Sequence, residues 1–174
     1  MAGAPDTLTL QTHRDQEGRA RLVWIRRTLL TLLALAVVAG LLNAFGQRPE
    51  TSHAAAARGR LTVYAPERAR SGLVYAARFR IDAVTELKHA TLILAPGWAE
   101  QYTVNGLSPQ PETEASSNGR LVFGFGHVRA GRHVTFWLSL QVNPTNVGHR
   151  SQTVVLADGD RPIATIHRTI TIFP

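Results

Sequence analysis

The stretch HVTFWLSLQV, residues 133–142, alternates between polar and apolar side chains along its whole length. An alternation with a period of two is typical of a β-strand that buries one face and exposes the other. The side chains predicted to point inward are those of Val134, Phe136, Leu138, Leu140 and Val142. The stretch therefore predicts a β domain.

The same period recurs before and after this stretch. In LVYAARFRID, residues 73–82, Phe79 is predicted to point inward and Arg78 outward. The runs ATLILA, RLVFGFG, SQTVVLA and ATIHRTITIF are rich in β-branched and aromatic residues. Turn-forming pairs lie between the runs: Pro96-Gly97, Asn105-Gly106, Asn118-Gly119, Ala130-Gly131, Asn143-Pro144 and Asp158-Gly159. About seven or eight strands spaced by about ten residues predict an antiparallel β-sandwich over residues 60–174.

An uncharged apolar run, TLLTLLALAVVAGLLNAFGQ, extends from Thr28 to Gln47. A helix of about 20 residues spans about 30 Å, the thickness of a bilayer hydrocarbon core. The run lacks the polar stripe that a helix packed on a soluble core carries. It therefore predicts a transmembrane helix over residues 27–47. This helix would separate a tail (1–26) from a polar linker (48–59) and the sandwich (60–174).

The charges around this run predict its orientation. Five arginines precede it: Arg14, Arg19, Arg21, Arg26 and Arg27. By the positive-inside rule, the N-terminus is cytoplasmic and the C-terminal domain lies outside the plasma membrane. A cleaved signal peptide is the alternative, because Ala44-Phe45-Gly46 places small residues where a signal peptidase would cut. The long segment before the run, with its acidic residues, favours a retained anchor.

The composition argues against several kinds of chemistry. The chain has no cysteine, which excludes disulfides, zinc–thiolate sites and a thiol nucleophile. The net charge is +7, but the arginines are spread along the chain, so nucleic acid is not an expected partner. The seven histidines never fall at a ligand spacing such as His-x-x-x-His. We therefore expect no metal, no cofactor, no catalytic residues and no small-molecule substrate.

The segment GHVRAGRHVTFWLSLQVNPTNVGHRSQTVVLADGD resembles the second half of the immunoglobulin-like modules of bacterial surfaces, of the cell-adhesion-related and conserved-repeat types. The matching positions are Ala130, Gly131, Val134, Phe136, Leu138, Gly148, Val154, Asp158 and Gly159. The whole chain is also similar to small single-pass actinobacterial membrane proteins that carry such a domain outside the cell. The resemblance implies an immunoglobulin-like sandwich with an interaction or structural role, and it brings no catalytic residues with it.

Two positions on the predicted outward face of residues 133–142 are candidates for binding a partner. Trp137 lies between Thr135 and Ser139, and His133 is on the same face. Partly exposed aromatic residues beside arginines are favoured anchors of protein interfaces. The alternative is that Trp137 packs under a loop or along the stems of arginine side chains.

The loop QVNPTNVGHR supplies the other candidates, which are Asn143, Asn146, His149 and Arg150. The loop connects two predicted strands, and Pro144 prevents Asn143 from acting as a glycosylation acceptor. Gly148 can supply a positive φ where the loop ends. We interpret the loop first as a connection, although sandwiches also carry binding sites on their end loops.

These observations predict a membrane-anchored, non-enzymatic interaction module. Its partner would be another membrane or cell-envelope protein, and the module would be an accessory or structural subunit of their complex. The alternative is an exported carbohydrate-binding module or enzyme on a sandwich scaffold. That alternative requires converging acids or a row of exposed aromatic rings.

Overall fold

The computed structural model describes residues 12–42 and 46–174, with backbone only for residues 12–20. The chain divides into two units, Met1–Ala44 and Phe45–Pro174. The described part of the first unit is one helix, α1 (Thr12–Leu41). Within the described residues, Arg21–Leu41 is long and apolar enough to cross a membrane, a property shared by transmembrane helices and signal sequences.

The helix differs from the predicted segment at both ends. It begins at Thr12, so it continues through much of the predicted tail. It ends at Leu41, before the predicted end at Gln47, while residues 43–45 lie outside the described part. Gln47 already belongs to the second unit, because its Nε2 donates to the Val74 carbonyl at 3.2 Å. Apolarity marks the segment that lipid can surround, whereas the helix end depends on local backbone conformation.

The second unit consists of β-strands and one 3-10 turn (Pro96–Trp98). In chain order the strands are β1 (Pro49–Ala55), β2 (Gly59–Pro66), β3 (Arg68–Arg70), β4 (Val74–Ala83), β5 (Ala90–Leu94), β6 (Tyr102–Ser108), β7 (Thr113–Ser117), β8 (Arg120–Gly124), β9 (His133–Val142), β10 (Gly148–Ser151), β11 (Val154–Asp158), β12 (Arg161–Ile166) and β13 (Thr169–Phe173).

The strands form two five-stranded sheets and one small sheet. The first sheet has the order β1-β2-β4-β9-β6 and is antiparallel throughout. The second sheet has the order β12-β11-β5-β8-β7 and is also antiparallel. The small sheet, β10-β13-β3, contains the parallel pair β13–β3. This architecture confirms the predicted all-β sandwich preceded by one apolar helix. It has thirteen strands in residues 46–174 where about seven or eight were predicted, because short edge strands add to the sheets, and one pair is parallel where an antiparallel sandwich was predicted.

The core lies between the inward faces of the sheets. Phe136 of β9 contacts Phe123 of β8, with ring centroids 5.0 Å apart, so the two large sheets pack against each other there. Phe79 of β4 and Phe125 also contact Phe136. Trp98 closes one end of this cluster, fully buried beside Phe79 at 5.2 Å. The predicted inward positions of β4 and β9 are thereby confirmed, except that Leu73 is exposed and Val134 only half-buried.

One end of the core contains polar side chains. The Tyr75 hydroxyl accepts a hydrogen bond from Nε2 of Gln152 at 3.1 Å, and both residues are buried. Arg168 is also buried and donates Nη2 to the carbonyls of Ala65 and Pro66. Burial raises the pKa of the Tyr75 hydroxyl well above the ordinary tyrosine value. Buried polar groups are costly to leave unpaired, so this end of the core depends on specific hydrogen bonds.

Two segments predicted to lack regular structure form edge strands instead. Residues 48–59, predicted as a linker, contain β1, whose seven residues all pair with β2. The sandwich therefore begins at Pro49 and not at residue 60. The polar segment SPQPETEASSN, residues 108–118, for which no strand is predicted, contains β7, which pairs with β8. An edge strand with little buried surface carries no apolar alternation, so the pattern that reveals central strands does not reveal it.

Candidate interaction face of the first sheet

The outward side of the first sheet, called here the outer face, carries the polar and charged side chains of β2, β4 and β9. Strand pairing places Tyr64 opposite Arg78, and Arg78 opposite Trp137. These three side chains form one row across three neighbouring strands. Directly opposite residues in antiparallel strands have Cβ atoms about 4.5–5.5 Å apart, so long side chains in such a row contact each other.

Arg78 lies between the two aromatic rings of this row. Its guanidinium carbon is 5.1 Å from the centroid of the Tyr64 ring and 5.4 Å from the centroid of the Trp137 ring. Both distances fall within the range in which a cation is attracted to an aromatic face. We call this arrangement the Arg78 stack. It holds a planar cation between two rings on the exposed side of the sheet.

Trp137 points outward as predicted, and 43% of the residue is exposed. The alternative reading also holds in part, because the ring packs against an arginine. The two readings are compatible, since an exposed ring that is held by a neighbour remains available to a partner. His133 lies on the same face at the start of β9, opposite Asp82, and is exposed. Four residues of strand, or about 13 Å, separate it from Trp137 along the sheet.

The outer face is positively charged. It carries Arg60, Arg78 and Arg80, and one carboxylate, Asp82. Nε of Arg80 donates to Oδ1 of Asp82 at 2.9 Å, so these two charges offset each other. Within residues 46–174, Arg78 has no hydrogen-bond or ion-pair partner. The N–H donors of Arg78 are thus available on this face.

Two shallow depressions lie side by side on the outer face. The first has a volume of about 190 Å³ and is lined by Thr62, Tyr64, Arg78, Arg80, Thr135 and Trp137. The second is wider, about 540 Å³, and is lined by Thr51, His53, Ala55, Arg60 and Thr62. Since Thr62 lines both, they form one continuous surface from β1 to β9.

The candidates from the loop before β10 have a different environment. Asn146 is fully buried, with Nδ2 donating to the carbonyl of Gln101 at 3.3 Å and Oδ1 accepting from Nε of Arg150 at 3.1 Å. Nη2 of Arg150 donates to Oε1 of Gln101 at 3.1 Å. Asn143 is held by its backbone N–H to the Gln101 carbonyl and by its side chain to Thr103. These hydrogen bonds fasten the loop to the chain before β6.

The prediction that Asn146 contacts a partner is therefore wrong, because its side chain is enclosed and both of its polar atoms are occupied. Asn143 and Arg150 are partly exposed, but their polar atoms also stabilise the loop. His149 is exposed, with Nδ1 3.1 Å from the Thr171 hydroxyl of β13. Gly148 adopts a φ of 106°, as expected for the loop exit. These features agree with a structural connection between strands.

The hairpin at Asp158-Gly159 also has a structural role. Asp158 accepts the backbone N–H of His89 at 2.8 Å and pairs with Arg58. The His89 N–H, followed by Arg58, lowers the pKa of this carboxyl below its ordinary value. Among the described residues, no group of three or more His, Cys, Asp or Glu side chains is placed to hold a metal ion.

A polar depression of about 510 Å³ lies near β3 and β13. Its lining residues are Ser52, Glu67, Arg68, Ser151, Thr153, His167, Arg168, Thr169 and Thr171. The carboxylate of Glu50 raises the pKa of Glu67, first through a side-chain hydrogen bond. Arg168 gives Nη2 to two backbone carbonyls, so acceptors already occupy part of its guanidinium. The depression therefore mixes charges of both signs.

Sequence reasoning found Trp137 but missed the two residues that complete the stack, Tyr64 and Arg78. A signal for each was present, because the period of two places both on outward positions of their strands. Their meeting depends on the pairing of β2 with β4 and of β4 with β9. Register between strands distant in the chain cannot be read from alternation alone.

Comparisons with known proteins show likenesses to solved structures only. No protein-family model matches the chain, and no curated protein matches its sequence. One similar structure is a non-cellulosomal cohesin from the hyperthermophilic archaeon Archaeoglobus fulgidus, with 16% identity, a TM-score of 0.41, and coverage of 60% of this chain and 84% of the cohesin. Another is CaCohA2 from Clostridium acetobutylicum, with 16% identity, a TM-score of 0.43 and the same coverage of both chains.

Proposed function

We propose that the protein is a membrane-anchored, non-enzymatic interaction module that binds a protein partner through the outer face of its first sheet. The partner is another membrane or cell-envelope protein, for which this chain acts as an accessory or structural subunit. The observation that carries the proposal is the Arg78 stack, in which Tyr64, Arg78 and Trp137 meet on an exposed surface. Tryptophan, tyrosine and arginine are the residue types most enriched in the energetic centres of protein interfaces.

The packing of these side chains favours binding. A side chain that is mobile in the free protein loses conformational entropy when a partner fixes it, at about 0.5–1.5 kcal/mol each. In the Arg78 stack each member already contacts its neighbour, so part of this ordering precedes binding. The strands beneath the stack are central in the sheet, with β4 paired on both sides. A rigid platform of this kind presents its anchors in a fixed arrangement.

The properties of helix α1 favour a membrane anchor. Leucine and valine side chains between Leu29 and Leu41 are exposed. About 20 residues of helix match the thickness of a hydrocarbon core, and apolar side chains on every side suit a lipid environment. The arginines before the apolar stretch favour a cytoplasmic N-terminus, which places the sandwich outside the cell.

The interaction is tested by capture of the partner from mild detergent with the full, anchored chain. Trp137→Ala should weaken capture by about thirtyfold or more, or about 2 kcal/mol, because it removes an anchor of the exposed stack. Val84→Ala is a suitable control, since Val84 is 59% exposed and follows the end of β4, away from the stack. Equal capture by the wild-type protein and both variants would place the binding site elsewhere.

The anchor is tested by sequencing the N-terminus of the protein extracted from membranes. A retained anchor predicts that the sequence begins in the segment before Thr28. A mature chain beginning near Gln47, or near Arg58 after the small residues Ala55-Ala56-Ala57, would show that the helix is a cleaved signal. That result would overturn the anchored form of the proposal. Protease accessibility of tags at the two termini, in sealed cells, would test the orientation.

A further inference from the structure

We infer that the Arg78 stack is a receptor for a carboxylate, and that its occupant is an acidic segment of the protein partner. This inference rests on the proposed function and adds to it the chemistry of the partner. The geometry points to it because a planar guanidinium is held between Tyr64 and Trp137 while its N–H groups have no acceptor within residues 46–174.

The guanidinium of Arg78 is suited to recognise a carboxylate. Its N–H donors form a fork that matches the two oxygens of a carboxylate, and such bidentate pairs are among the stronger hydrogen bonds in proteins. The two aromatic faces restrain the plane of the fork without using any donor. Arg80 differs in this respect, because Asp82 already accepts from its Nε. Within residues 46–174, Arg78 therefore keeps its whole donor set free, whereas Arg80 has already given one donor to Asp82.

The charge of the surroundings agrees with an anionic occupant. Arg60, Arg78 and Arg80 face outward, with Asp82 as the acidic residue among them. Nearby hydroxyls of Thr62 and Thr135 line the same depression as the stack. Successive outward positions on a strand are about 7 Å apart, which is also the spacing of alternate side chains in an extended peptide. An extended segment with acidic residues at alternate positions fits this surface.

The size of the depression favours a side chain over an independent small ligand. Its volume of about 190 Å³ is below the range of about 300–1,000 Å³ that is usual for small-molecule sites. A glutamate or aspartate side chain needs less room, and the rest of its segment can lie across the neighbouring depression. A glycan platform offers open ring faces, whereas here Tyr64 and Trp137 each turn a ring face toward Arg78.

The test measures binding of labelled probes to the full chain in a non-ionic detergent by fluorescence anisotropy. The first probe is a decapeptide in which glutamate alternates with threonine, and the second has glutamine in place of every glutamate. The third is an oligogalacturonate with a matching number of carboxylates. The glutamate peptide should bind about tenfold or more tightly than the glutamine peptide, because only the carboxylates form charge-assisted bidentate pairs.

The variants separate recognition by Arg78 from general attraction to a basic surface. Arg78→Gln should weaken binding of the glutamate peptide by about tenfold or more, and Arg78→Lys by about fivefold or more, since lysine lacks the planar fork. The matched control is Arg161→Gln, which removes the same charge from an exposed position on β12 of the second sheet. It should change the affinity by less than about twofold, because salt screens distant surface charges.

Several outcomes would overturn the inference. Equal binding of the two peptides would show that the face does not recognise carboxylates. Equal losses of affinity in Arg78→Gln and Arg161→Gln would show that the peptide is attracted by the net charge of the protein and not by Arg78 in particular. Tighter, Arg78-dependent binding of the oligogalacturonate would identify an anionic glycan as the occupant. If Trp137→Ala still weakens partner capture in the first two cases, the proposed interaction face stands and only its carboxylate chemistry is refuted.

Discussion

The two faces of the first sheet are built from the same strands but hold together by different forces. The inner face presents Phe79, Phe136 and Leu138, all fully buried against the second sheet. The outer face presents Arg78, whose guanidinium contacts the rings of Tyr64 and Trp137 on the exposed side of the sheet. Burial of apolar area stabilises the first group by about 1.5–3 kcal/mol for each large side chain. Exposed cation–aromatic contacts are worth about 0.5–1 kcal/mol.

This difference separates the residues that fold the domain from those available for binding. A substitution on the inner face leaves a cavity, which the close-packed core only partly fills. A substitution on the outer face leaves space that water enters. Strand β9 contains residues of both kinds, since neighbouring residues along it belong to opposite faces of the sheet. Changes at adjacent positions should therefore affect stability and binding independently.

The largest expected effect is that of Phe136→Ala. Phe136 is fully buried and its ring contacts those of Phe79, Phe123 and Phe125. The free energy of unfolding should fall by about 3–5 kcal/mol, as for other buried aromatic residues replaced by alanine. Denaturant unfolding of the full chain in detergent measures it, with Phe136→Leu as a control that should cost less than about 1.5 kcal/mol. If the alanine variant lost less than about 1 kcal/mol, Phe136 would not be a core residue. The inner face would then not differ from the outer face in its contribution to stability.

Leu138→Ala tests the same face at the next inward position of β9. Leu138 is fully buried, so the free energy of unfolding should fall by about 2–5 kcal/mol. Ser139→Ala is the adjacent control on the outer side and should change stability by no more than about 0.5 kcal/mol. If Leu138→Ala cost less than about 0.5 kcal/mol, the two faces of β9 would be wrongly assigned.

Tyr75→Phe tests the polar part of the inner face. It removes the acceptor of Gln152 Nε2, and the unpaired buried donor should lower the free energy of unfolding by about 1–3 kcal/mol. Tyr64→Phe on the outer face should change it by no more than about 0.5 kcal/mol. Equal effects of the two changes on the free energy of unfolding would show that the Tyr75 hydroxyl is hydrated in the folded protein.

The same tyrosine predicts a dependence on alkaline pH. Burial raises the pKa of Tyr75 above the unfolded value of about 10. The neutral hydroxyl is favoured by the folded state, so its contribution is complete below about pH 10 and is lost as the pH rises toward the folded-state pKa. Tyr102 acts in the same direction, since burial raises its pKa too. The free energy of unfolding can be measured from about pH 8 to 11, a range that brackets the unfolded pKa of about 10. It should fall less steeply with rising pH in Tyr75→Phe than in the wild type.

The smallest expected effect on stability is that of Trp137→Ala. The side chain lies on the outer face and its described ring contact is with Arg78, so the free energy of unfolding should change by no more than about 1 kcal/mol. Thermal unfolding measures this beside partner capture, which the same change should weaken strongly. A stability loss of about 2 kcal/mol or more with unchanged capture would make Trp137 a packing residue.

The central strands β4 and β9 could be predicted from the sequence, whereas the edge strands β1 and β7 could not. The alternation in β4 and β9 identified their buried side chains because one of their faces lies against the core. The edge strands β1 and β7 are largely exposed, so their polar sequences resemble a linker and a loop. They form because β2 and β8 offer unpaired backbone groups, which hydrogen-bond to any neighbouring extended segment.

The residues of the candidate site also differ in whether the sequence could reveal their environment. Trp137 was identified because its exposure follows from its position on one strand. Asn146 was assigned to binding because a polar residue in a loop is usually exposed, yet its side chain is enclosed by hydrogen bonds to Gln101 and Arg150. Those partners are distant in the chain or across the loop, and no local pattern reveals them.

The apolar helix, the β class of the domain and the inward sides of β4 and β9 could be read from the sequence alone. Those properties follow from the local geometry of one segment, since alternate side chains on a strand point to opposite faces. The placement of Tyr64, Arg78 and Trp137 in one row, by contrast, depends on strand pairing across the fold. The row exists because three strands pair in a particular register, and that register is fixed by the packing of all their inward side chains together.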